Sequence, residues 1–121
     1  MKDTDMEQTV RSVIRRMTAS SVMNLAFARN LIREVEKKAQ EMGVKAVVAV
    51  SDAAGRPVAI ECMDGAYIGS FDVALNKTFT SVAFQMSTAE LGKLASPGGS
   101  LYGIQNTNDG KIVIFGGGEP L

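Results

Sequence analysis

The hydrophobic pattern opens with Met6, Val10, Val13, Ile14 and Met17 at helical spacing, with Arg11, Arg15 and Arg16 among them. It predicts an amphipathic helix over 6–17 whose basic side is solvated. Thr18, Ala19, Ser20 and Ser21 interrupt the period and offer N-cap side chains for the next element. A second helix is the clearest element. Leu25, Ala28, Ile32, Val35, Ala39 and Met42 advance by threes and fours as one apolar stripe, and Gly43 suits a C-cap. The period then changes. Residues 44–50 are β-branched and alanine-rich, as a buried strand requires, and 57–63 predict the returning strand of a hairpin with Val58, Ile60 and Cys62 on one face.

Beyond a loop at 64–69, Ser70 is expected to cap a helix over 71–84 with Phe71, Leu75, Thr78 and Val82 inward. Ser87 and Glu90 match a capping box before a short helix ending near Ala95. Residues 101–105 and 111–115 are expected as short strands around a turn at 106–110. The order is helix, helix, strand, strand, helix, short helix, strand, strand. It predicts an α+β fold, an α/β sandwich in which an antiparallel sheet is flanked by helices.

Composition narrows the function. With 121 residues and 45% hydrophobic content, the chain is the size of one folded domain. Thirteen basic and thirteen acidic residues cancel, and Trp is absent, which argues against a nucleic-acid binder. No apolar run approaches the length of a membrane helix, and the polar first residues lack a signal-peptide core, so a cytoplasmic location is expected. There is no histidine and one cysteine, Cys62. A Ser-His-Asp or Cys-His centre and the usual Cys/His zinc sites are excluded, so no catalytic or metal-ligating residues are expected from this chain alone.

The remaining candidates each have two readings. Gly116, Gly117 and Gly118 form either a close-packed turn or a backbone surface that a ligand approaches; no Gly-Lys-Ser/Thr follows, so this is not a P-loop. Lys77 is either salt-bridged or a partner for a carboxylate. Asp52 and Asp64 flank the first hairpin and either lie near one another or a ligand, or bond their own backbone as a turn Asp ordinarily does. Cys62 is a small core residue or a soft ligand, and Tyr67 and Tyr102 pack their rings or offer oxygen ligands.

Six stretches in order, VVAVSDAAG (47–55), MDGA (63–66), GSFDVA (69–74), NKTFTSVA (76–83), PGGSLYG (97–103) and IFGGGEPL (114–121), resemble the GlcG/HbpS family, which includes the C-terminal domain of PduO. The resemblance implies a profilin-like domain over 19–121, preceded by a helical extension at 1–18 and short at its C-terminal end relative to the family. It also implies self-assembly into a homo-oligomer. The expected ligand is a small anion or a tetrapyrrole, haem or corrinoid, in a groove formed by Asp64, Gly65, Ser70, Lys77 and Gly116–Gly118. Two further readings remain open: an accessory or enzyme subunit in haem degradation or cobalamin-dependent diol and glycerol utilisation, and a purely structural assembly subunit. Some relatives carry histidine after the threonine matching Thr88, where this chain has Ala89, so a histidine-ligated haem is not expected. Residues 6–17 lie outside the family core and are expected, with or without a partner subunit, to cover apolar surface that a further C-terminal helix covers in relatives.

Overall fold

The computed structural model describes residues 2–17 and 23–121, with side chains described at 6–15 and 23–121. It is an α+β fold. The elements are α1 (Lys2–Met17), α2 (Leu25–Met42), β1 (Val47–Ser51), β2 (Pro57–Cys62), α3 (Gly69–Phe84) and α4 (Thr88–Leu94), followed by 3-10 turns at Ile104–Asn106 and Asn108–Gly110. The caps expected at 18–21 lie outside the described residues. The side chain that starts α2 is Asn24, whose Oδ1 accepts the Phe27 N–H at 2.8 Å. At the other end Gly43, with φ 72°, donates its N–H to the carbonyls of Ala39 and Gln40, as the sequence suggested.

β1 and β2 pair antiparallel, Val47 opposite Cys62 and Val50 opposite Ala59. The hairpin is covered on both faces. Val48 and Val50 pack towards a core of Val13, Leu31 and Val35, joined by Met6, Val10 and Phe27 from α1 and α2. On the opposite face, Ser51 donates a 2.7 Å hydrogen bond to Thr78 of α3, and Val82 lies against Gly55. This two-sided burial explains why β1 is a continuous apolar run and not an alternating one. Asp52 closes the hairpin turn. Its Oδ1 accepts the N–H groups of Ala54 and Arg56, both at 3.0 Å, and Oδ2 accepts Arg56 Nε at 3.1 Å. Those bonds, the Arg56 backbone donor first, hold the Asp52 carboxyl below the ordinary carboxylate range.

Several expectations are corrected. Asp52 and Asp64 do not share a site, because Asp52 sits in the hairpin turn and Asp64 follows β2 at the opposite end, roughly 15 Å of strand away. Ser70 does not cap α3. The helix begins at Gly69, and the N–H groups of Ser70 and Phe71 bond the carbonyls of Tyr67 and Ile68, leaving the hydroxyl nothing to cap. Phe71 is exposed, since it precedes the part of α3 that the hairpin covers. Cys62, Tyr67 and Tyr102 are also exposed and do not pack in a core. The strand expected at 101–105 is absent because its amides are consumed locally: Leu101 bonds Leu94, Ile104 bonds Leu101 and Asn106 bonds Gly103. Residues 111–115 form no strand either. The Val113 N–H goes to the Thr80 hydroxyl at 3.0 Å, so the segment lies against α3 and makes no ladder.

Candidate functional site

The C-terminal segment forms a second packed region with α3 and α4. Ile112 and Val113 are buried with Leu91 of α4, with Ala95 just after it, and with Thr80, Ser81 and Thr88. Two threonines fix its path. Thr80 donates to the Asn76 carbonyl at 2.8 Å while accepting from Val113. Thr88 and Gly118 are paired reciprocally: the Thr88 N–H donates to the Gly118 carbonyl at 3.0 Å, and the Gly118 N–H donates to Thr88 Oγ1 at 2.9 Å. α4 starts beside this pair, with Ser87 Oγ accepting the Glu90 N–H at 3.1 Å. That is the acceptor half of the capping box expected from sequence.

This packing places Lys77 on the glycine turn. Its Nζ stands 4.8 Å from the centroid of the Phe115 ring, a cation–π geometry. A Cβ on Gly117 would fall 2.7 Å from Lys77 Nζ, and one on Gly118 would fall 2.7 Å from Thr88 Cγ2 and 3.1 Å from Lys77 Cβ. Gly117 also has φ 119°, where side chains are rarely tolerated. The three glycines are therefore a close-packed turn first. The Gly118 amide is already spent on Thr88, so any ligand approach is to the Phe115–Gly117 stretch. Phe115 is 51% exposed, unusual for a phenylalanine in so tightly held a segment.

The remaining predicted site residues fall elsewhere. Asp64 and Gly65 lie in a turn closed by the Ala66 N–H on the Met63 carbonyl at 3.0 Å, and a Cβ on Gly65 would meet Lys45 Cδ at 2.8 Å. Ser70 is two helical turns before Lys77 on the same face of α3, roughly 10 Å along the axis. Lys77 and the glycine turn are thus brought together, whereas Gly65 lies against Lys45, just before β1.

Beside the glycine turn, an open cleft of about 440 Å³ is lined by Glu7, Arg11, Met86, Ala89, Lys93 and Glu119, among others. Arg11 Nε and Nη2 donate to the two carboxylate oxygens of Glu119 at 3.3 and 3.2 Å, and Nη2 also reaches Glu7 at 3.4 Å. The Glu119 side chain is only 7% exposed, and its hydrogen bond and charge raise the Arg11 pKa further. The sequence does not mark Glu7, Arg11 and Glu119 as site residues, because their meeting depends on α1 crossing to the C-terminal segment, nor Phe115, whose partner Lys77 lies on α3. Gly92 was also missed, although a lone glycine inside a helix was its signal. A Cβ there would collide with the Ile114 carbonyl.

The family profile described as "Haem degrading protein HbpS-like" matches residues 23–121. The chain belongs to the HbpS-like family. It is 41% identical over 101 residues to an uncharacterized 15.0 kDa protein of the dhaT-dhaS intergenic region of Citrobacter freundii, covering 84% of this chain and 71% of that protein. It is 35% identical over 106 residues to the corrinoid adenosyltransferase PduO of the same organism, covering 86% of this chain but only 32% of PduO. This HbpS-like domain therefore spans about a third of that relative. Two solved structures share the fold. The Klebsiella pneumoniae protein ORFY matches with TM-score 0.75 and 40% identity over 85% of this chain and 73% of that one. A PduOC:haem complex matches with TM-score 0.76 and 33% identity over 80% of this chain and 70% of that one.

Proposed function

We propose that this HbpS-like chain is a binding protein for a tetrapyrrole, haem or corrinoid, and that the ligand lies on the face made by Lys77, Phe115 and Gly116–Gly118. The observation that carries the reading is the Lys77 ammonium held 4.8 Å over a half-exposed phenylalanine beside a glycine turn. An aromatic surface and a side-chain-free backbone suit a planar macrocycle, and the ammonium suits a haem propionate. The haem complex of a structural relative supports the same ligand class.

The residues fit the periphery of such a ligand, not a histidine-ligated metal. The chain has no histidine, and among the described residues no group of three or more His, Cys, Asp or Glu side chains could hold a metal ion. Lys77 would pair with a peripheral carboxylate, Phe115 would carry the ring face, and Ser70 would extend the face towards the loop of Asp64 and Gly65. When bound, the tetrapyrrole metal would supply redox or ligand-exchange chemistry; this chain's own residues orient the macrocycle and fill no acid–base role.

Homo-oligomer formation belongs to the same proposal. Tyr67, Ile68 and Phe71 are 85%, 96% and 42% exposed within five residues, a surface that self-association would remove from water. In titration with haem, the wild-type protein should shift the Soret band. Lys77→Ala should weaken binding roughly ten-fold, the loss of one charge-assisted contact. Absence of a Soret shift, with no thermal stabilisation by haem or aquocobalamin, would contradict the ligand assignment.

A further inference from the structure

The acidic residue Glu7 of α1 sits on the proposed ligand face, and its surroundings suggest a role. Its carboxylate occupies the space that a Cβ on Gly116 would fill, with the Ala89 methyl alongside. The same carboxylate accepts from Arg11 at 3.4 Å, a pair one helical turn apart whose side chains are 42% exposed at Arg11 and 18% at Glu7. Such pairs hold weakly and are replaced at little cost. Arg11 does not depend on Glu7 for its position, because Glu119 holds it through two bonds from the nearly buried side. α1 also lies wholly outside the 23–121 region shared with the family.

We infer that Glu7 is an internal stand-in for the ligand's carboxylate. It covers the Gly116 side of the face and neutralises the exposed side of Arg11. A ligand carboxylate displaces it charge for charge, leaving the Arg11–Glu119 pair in place. Ligand binding then competes with a contact made by the chain itself, and the apparent affinity is set by the fraction of molecules in which Glu7 has moved aside. This inference rests on the tetrapyrrole reading above and adds a regulatory contact to it.

Haem titration of the full chain at fixed ionic strength tests it. Glu7→Ala should bind haem roughly five-fold or more tightly than wild type, a modest coupling for two competing occupants. Glu7→Gln, which removes the charge and keeps the bulk, should gain less. Glu41→Ala, which removes a carboxylate paired with Lys38 on α2, should leave affinity unchanged. Arg11→Ala should bind more weakly than Glu7→Ala, since the arriving carboxylate loses its partner. Thermal melting verifies that each variant is folded, and Glu7→Gln carries the comparison if the alanine variant is not. Wild-type binding with no gain in either Glu7 variant overturns the stand-in alone, as does an equal gain in Glu41→Ala. Failure of every protein to bind haem overturns both the stand-in and the ligand assignment.

Discussion

At the residue scale, the second packed region depends on two hydroxyls, and neither role is visible in the sequence. Thr80 and Thr88 are completely buried, and each accepts a backbone N–H from the C-terminal segment. Replacing Thr88 with Val keeps the volume and strands the Gly118 amide. We expect a cost of about 1–3 kcal/mol, read from chemical denaturation, and a similar cost for Thr80→Val at Val113. Lys77 and the glycines were legible because their residue types limit what they do. The threonines were not, because a buried hydroxyl is identified by its partner and these partners lie 30 or more residues away.

Two carboxylates give the stability opposite pH dependences. Asp52 is held below its ordinary value, so its contribution is present above the ordinary range and is lost as pH falls through the depressed value. Glu36 is held above its ordinary value by burial, then by its hydrogen bond with Glu61 and that residue's charge. Its contribution is complete below the ordinary glutamate range and is lost as pH rises through the elevated value. Glu36→Gln should therefore raise the urea midpoint above the carboxylate range relative to wild type and change it little in acid. A profile that shifts equally at all pH values would exclude this origin.

At the element scale, α2 and the hairpin followed from local pattern. The caps at Asn24 and Gly43 and the turn around Asp52 are satisfied by neighbours in sequence, and the stripe holds at Ala28, Ile32, Val35 and Ala39, whereas Leu25 at its start is exposed and Leu31 is buried in its place. The stretch 111–115 misled because β-branched residues describe a buried extended segment whether or not a strand lies beside it. Here the neighbours are helices, and α4 comes close enough only because Gly92 has no side chain. Gly92→Ala would force the methyl against the Ile114 carbonyl. Although alanine favours helix, we expect a net loss of about 1–3 kcal/mol, read from thermal or urea unfolding. Ser87→Ala, which removes the α4 cap, should cost about 1 kcal/mol by the same measurement.

At the scale of the whole molecule, the hairpin between α2 and α3 forms one packed region, and α4 with the C-terminal segment forms another on the far side of α3. α1 joins them, burying Val13 on α2 and reaching Glu119 through Arg11. Family membership was legible from six ordered stretches, and the matched region 23–121 agrees with them. The single groove expected from sequence was only partly recovered. Lys77 meets the glycine turn, but Gly65 sits at Lys45, since the loop after β2 stays near the open end of the hairpin. If the exposed Tyr67–Phe71 stretch is an assembly surface, sedimentation should show concentration-dependent association, lost in Ile68→Lys. The central claim is that the Lys77, Phe115 and glycine-turn face holds a tetrapyrrole. Anomalous diffraction at the iron edge from crystals of the haem-loaded protein tests it most directly. We expect an iron peak beside Phe115 and Gly117, with a propionate directed to Lys77; an iron peak at any other surface would contradict the assignment.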